Sequence, residues 1–273
     1  MKPHVLSKVT IVFAADLPVI TDHAFHKLAE QFSKLGFVQP FRFTVPVHEF
    51  NNGSATVSEH VVIGYLTANH TSSIKLGNRT FELATTEYID KYWFMDLVTQ
   101  SLKLFAEHGL VNSISIEVCH ATNINALIPT RECSLSGMID GNRPLPLQMV
   151  HNEYSDCHTK QASQMTMQTI ENDTVKIETL LTHHDINFHK TIANQGFPPI
   201  IPQQELEPYG QLGLNINFNN IYDSTHTVDE NGYLVLCSKA SALGVPPINN
   251  DSIEGIIERL NSLGGYSRKE FDI

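Results

Sequence analysis

Apolar residues along this chain recur with two periods, and their succession predicts the elements of the fold. Ser7 to Ala15 reads as a strand, and Pro18, Thr21 and Asp22 lead into a helix over residues 22 to 35, where Phe25, Leu28, Ala29 and Phe32 repeat at helical spacing. Asp22 stands where a carboxylate caps a helix, and Gly36 ends the segment. Pro40 to Val47 alternates but contains Pro46, which marks an edge strand or a bulge. Thr56 to Leu66 and Ser72 to Leu83 read as antiparallel strands, the second split by a hairpin at Gly77-Asn78.

Tyr88 to His108 carries the clearest helical stripe, with Phe94, Leu97, Val98, Leu102 and Phe105 on one side and Gly109 as its stop. Tyr92 and Trp93 near its start read as core anchors rather than a ligand-stacking wall. Val111 to His120 follows as a strand, with Ile114, Ile116 and Val118 on one face. Glycines and prolines between Thr122 and Pro146 mark a domain transition. Gln161 to Ile170 and Thr174 to Leu181 form an expected hairpin, Asn194 to Pro208 a proline-rich surface connection, and Leu212 to Asn219 and Tyr233 to Cys237 further strands. A helix over Asp251 to Leu263 is expected to stop at Gly264-Gly265. The order predicts an α+β fold in two halves, residues 1–125 and 126–273, each a mostly antiparallel sheet with helices packed on one face.

Composition narrows the function. With 18 Lys plus Arg against 29 Asp plus Glu, the net charge of −11 repels a phosphate backbone and argues against nucleic-acid binding. No run of about 18 apolar residues suits a membrane span, and the N-terminus lacks a signal-like apolar core, so a cytoplasmic protein is expected. The Asn-x-Ser/Thr matches at Asn52, Asn69, Asn78 and Asn172 are then chance matches. Cys119, Cys133, Cys157 and Cys237 form no Cys-x-x-Cys pair and read as free, buried thiols of a reducing compartment.

Histidine supplies the chemistry that stands out. Within Thr182 to His189, an extended chain sets His183 and Asp185 on one face, and His189 joins them if the strand turns after Phe188. With His120 or His158 as a distant partner, the set suits a divalent metal, iron for two histidines and a carboxylate or zinc if cysteine joins. A second cluster, His151, Glu153, Asp156, Cys157 and His158, has the residue types of a Cys-His nucleophile but no neighbouring oxyanion element. His23, His26 and Glu30 share the outer side of the first helix, where solvation is the expected role. Nucleotide-binding glycine loops, His-Glu-x-x-His and Gly-x-Ser-x-Gly are absent.

Ile74 to Phe81, Tyr88 to Gly109 and Ser113 to Ile124 together resemble the middle of a family of uncharacterised prokaryotic proteins. That family has a strand with a Leu-Gly hairpin, a long helix opening near Tyr-x-x-x-Trp/Phe, and a strand ending Arg-Tyr-x-Asn. Here the helix opens Tyr88-Ile-Asp-Lys-Tyr92-Trp93, and only Asn123 of the last motif is kept. The resemblance implies architecture over residues 74–124 and carries no catalytic residues.

The reading favoured by these residues is a cytosolic protein that binds a small molecule or a partner protein. The alternative is a metal-dependent enzyme using His183, Asp185 and His189 with His120 or His158, and zinc or iron. A structural oligomer paired through sheet edges is a third reading, opposed near Pro46, while a helix-mediated homodimer stays open.

Overall fold

The computed structural model describes residues 4–51, 54–111, 116–127, 159–170, 173–184, 233–243 and 253–269. Among the described residues, nine strands make one sheet: β1 (His4–Phe13), β2 (Phe37–Asn51), β3 (Ser54–Thr67), β4 (Ser72–Leu76), β5 (Thr80–Thr85), β6 (Ile116–Leu127), β7 (Thr159–Ile170), β8 (Asp173–His184) and β9 (Tyr233–Leu243). The described helices are α1 (Asp22–Lys34), α2 (Lys91–Glu107) and α3 (Ile253–Lys269). The strand order is β2-β3-β4-β5-β1-β6-β9-β8-β7, with every neighbouring pair antiparallel. This is the expected α+β class, with an antiparallel sheet and helices packed against it. The strands on either side of the expected 125/126 boundary belong to one sheet, joined by β6 and β9.

Alternation along the strands fixes which face the helices cover. Val9, Ile11 and Phe13 of β1, Phe81 and Leu83 of β5, Ile74 and Leu76 of β4, and Ile63 and Tyr65 of β3 share one face and are buried in one cluster. Leu28 and Phe32 of α1, Phe94, Val98, Leu102 and Phe105 of α2, and Ile256, Leu260 and Leu263 of α3 complete it. Phe32 is fully buried, with ring centroids 4.5 Å from Tyr65, 5.2 Å from Phe105 and 6.3 Å from Phe37. Lys91 Nζ donates to the Asn261 carbonyl at 3.2 Å and ties α2 to α3.

Local chemistry explains the helix ends and where they differ from expectation. The cap of α1 is Thr21, whose hydroxyl accepts from Ala24 N at 3.2 Å. Asp22 lies in the first turn and pairs with Arg42 at 2.6 Å. Asp90 caps α2 by accepting from Trp93 N at 2.8 Å. Gly36 and Gly109, at φ 91° and 73°, take the left-handed positions that end α1 and α2 as expected. By contrast α3 runs through Gly264-Gly265 to Lys269. Each glycine costs about 1 kcal/mol in a helix, so the pair weakens this last stretch without ending it.

Three other expectations are corrected. Tyr92 is 85% exposed, because the inward stripe of α2 passes through Phe94, Leu97 and Val98 and leaves position 92 outside. Trp93 does pack against the core. On β6, Ile116 is buried but Val118 is not, since a register shift at Val12/Phe13 moves burial to Cys119 and Ala121. Cys119 and His120 consequently lie within β6, which continues through Asn123 to Leu127. The Cys119 side chain is buried. On the helix-free side Phe41 stacks on Phe43 and closes over Gly64, where a Cβ would lie 2.6 Å from the Ile74 carbonyl oxygen. The strand expected over Leu212 to Asn219 and the connection over Asn194 to Pro208 lie outside the described residues.

Two outcomes follow from the α1 packing. Phe32→Ala removes the ring that joins α1, α2 and β3 and should lower unfolding free energy by about 3–5 kcal/mol in a denaturant titration. Burial pushes the Tyr65 phenol above its usual value, while its hydroxyl donates to the Phe25 carbonyl at 3.3 Å. Below about pH 10 this phenol is protonated in both states and adds no pH dependence. Above that the unfolded chain alone releases the proton, so stability falls with rising pH. Tyr65→Phe should flatten this alkaline limb in thermal melts at a cost of about 1 kcal/mol near neutrality.

Candidate functional site

On the face that none of the described helices covers, the register lines up residues from widely separated parts of the chain. One row runs Phe41, Gly64, Lys75, Glu82, Thr10, His120, Ser241, Lys176 and Met167, one residue from each strand across the full sheet. Lys8 lies in the next row, whose register continues through Thr122 and Lys239 to Glu178.

At the centre of this face Glu82 is flanked by two lysines. Lys75 Nζ pairs with its Oε1, and Lys8 Nζ lies 3.7 Å from its Oε2. The three side chains are only 14%, 17% and 22% exposed for Lys75, Glu82 and Lys8, so the charges sit low between the strands. Half-buried ammonium groups need a counter-charge, and one carboxylate here serves two of them. These two rows hold lysine at positions 8, 75, 176 and 239 and glutamate at 82 and 178, in a chain of net charge −11. Within the Lys8, Glu82 and Lys75 group itself, two ammonium groups face one carboxylate.

His120 Nδ1 lies 2.7 Å from Ser241 Oγ in the same row. A serine hydrogen-bonded to histidine is the first requirement of a nucleophile and its base. Ser241 is 1% exposed, however, which withholds its hydroxyl from a substrate, so the pair acts as a cross-strand polar link between β6 and β9.

The interior offers no comparable site among the described residues. A cavity of about 20 Å³ lies where β1 and β6 meet α2 and α3, bordered by Ser7, Asn123, Lys91 and Met95. That volume holds about one water and falls far below the several hundred Å³ of a small-molecule pocket. Ser7 Oγ donates to Asn123 Oδ1 at 2.6 Å beside it.

A hydroxyl-rich turn was not singled out by the sequence. Ser72 Oγ and Thr85 Oγ1 lie 2.8 Å apart in the buried interior, and Thr85 Oγ1 also meets the Thr71 carbonyl at 3.3 Å and accepts from Glu87 N at 3.1 Å. Glu87 in turn accepts from Asn69 Nδ2 at 3.2 Å and Thr71 Oγ1 at 3.1 Å. His70 takes a left-handed backbone at φ 57° and its Nε2 lies 2.6 Å from Gln39 Oε1. The available signal was the density of Ser and Thr over 67–73 with Thr85-Thr86-Glu87. Its geometry fastens the β3–β4 turn to the approach of α2.

Of the expected metal ligands, His120 is placed as above. Position 183 pairs with Leu234 and Lys160 in register and lies seven residues along β8 from Lys176, about 23 Å, so the sheet does not bring His120 and His183 together. Asp185, His189 and His158, like the cluster His151, Glu153, Asp156 and Cys157, lie outside the described residues. His23, His26 and Glu30 are exposed on α1. Among the described residues no group of three or more His, Cys, Asp or Glu is arranged to hold a metal ion, and no described helix is long and apolar enough to cross a membrane.

Thr85→Val keeps the shape of the buried turn but removes the hydroxyl shared by Ser72, Thr71 and Glu87. An unfolding titration should show a loss of about 1–3 kcal/mol. Comparison of the chain with protein-family models and with curated proteins finds no match.

Proposed function

We propose that this chain is a binding protein that receives an anionic ligand, through its carboxylate or phosphate group, on the helix-free face of the sheet. The observation that carries this reading is the Lys8, Glu82 and Lys75 group set low in the centre of that face, with Lys176 further along the same row. Its electrostatics attract an anion despite the acidic composition, since nearby lysines outweigh distant screened charge.

A specific observation also supports the metal-dependent reading. The last described pair of the β7–β8 hairpin is Thr159 with His184, and His158 and Asp185 are the adjoining residues in the sequence of the two strands. This reading retains His183, Asp185, His189 and His158 as its candidate ligands and zinc or iron as its metal, and leaves out His120, which lies apart from position 183 in the strand register.

Two measurements separate these readings. For the anion-binding protein, a thermal-shift panel of carboxylated and phosphorylated small molecules should contain a class that raises the melting temperature saturably. At about a hundred times the dissociation constant the gain is about 2.7 kcal/mol, or about 5–10 °C for a chain of this size. Lys8→Gln/Lys75→Gln/Glu82→Gln removes the net positive charge of the group without leaving a carboxylate unpaired and should abolish the shift, whereas a shift that persists places the ligand elsewhere. The metal reading requires near-stoichiometric zinc or iron in protein purified without chelator and its loss in His183→Ala/Asp185→Ala. Elemental analysis that finds no metal in the parent, followed by a titration that finds no binding, rejects it.

A further inference from the structure

Among the described strands, β2 and β7 stand at the two ends of the sheet order and differ in what their outer edges carry. In β2, Pro40 and Pro46 both lie inside the ladder with β3. Proline has no N–H to give, so it fits a laddered strand where that group would point away from the neighbour. The outward positions of β2 between them are therefore 40, 42, 44 and 46, and proline removes half of the donors that another strand would need.

At the other edge, β7 has neither proline nor glycine and carries no charged residue from Gln161 to Ile170. Met167 is 60% exposed there. The segment Gln164-Met165-Thr166-Met167-Gln168 reads identically in both directions. An antiparallel copy related by a two-fold axis at Thr166 sets Thr166 against Thr166, Met165 against Met167 and Gln164 against Gln168. Lys160 falls beyond the overlap of the two strands, so no like charges stand opposite one another even though each chain carries a net charge of −11.

We propose that β7 pairs with β7 of a second copy of this chain, centred on Thr166, to give a continuous sheet across a two-fold axis. Such an isologous contact uses the same edge twice and closes on itself. The prolines of β2 oppose further growth from the remaining edges, so assembly stops at two chains rather than extending into a filament.

The test is sedimentation velocity over a concentration series with the full chain. The parent should form a dimer, and Thr166→Lys and Thr166→Glu should each weaken dimerisation at least about tenfold, because each opposes its own charge. An equal mixture of the two variants should restore the dimer, since lysine then faces glutamate in this register. A parent that stays monomeric overturns the proposal, as does a Thr166→Lys variant that dimerises like the parent or a mixture that fails to re-form. Should Thr166→Lys not fold, Met165→Lys/Met167→Lys places lysine opposite lysine twice in the same register and decides the question in its place.

Discussion

The aromatic contact around Phe32 decides the arrangement on which the rest of the molecule rests. Its ring meets Tyr65 from the sheet and Phe105 from α2, while Phe105 reaches Phe81 at 6.0 Å. These rings bring α1, α2, β3 and β5 into one apolar layer, and α3 extends that layer over β6, β8 and β9. Burial of such large side chains is the main favourable contribution available to a sheet of this width. The three described helices lie on one side of the sheet, and on the opposite face the described contacts are made by strand residues.

That opposite face works under different rules. Its central polar groups are held by pairing rather than exclusion: Glu82 between two lysines, and His120 against Ser241. The seam between β6 and β9 joins these features, because Cys119 and Ala121 meet Ala242 and Ala240 on the apolar side while His120 meets Ser241 on the polar side. Small residues at that seam let the strands pair closely without competing for volume beneath the helices.

Much of the architecture was legible in local pattern. The stripes of α1 and α2 and the hairpins β4–β5 and β7–β8 follow from periodicity and turn residues within short windows. The far half of β6 was not, since Thr122-Asn123-Ile124-Asn125 has poor strand propensity and is held extended by β1 on one side and β9 on the other. The end of α3 was missed because two glycines weaken a helix without obliging it to stop. Of the polar face, His120 could be singled out by type alone. Lys8, Lys75, Lys176 and Ser241 could not, because each is unremarkable in its own window and register alone makes them neighbours.

The order in which the chain contributes to that row has a consequence for its synthesis. Across the sheet, residues 75, 82, 10 and 120 are followed by 241 and only then by 176. A nascent chain that has emerged as far as the β7–β8 hairpin can pair those two strands with each other, but it has no described strand to link them to β6 until β9 leaves the ribosome. The amino-terminal strands can fold first, as domains do during translation. The complete polar row comes into being in a single late step, when β9 slots between two partners already made.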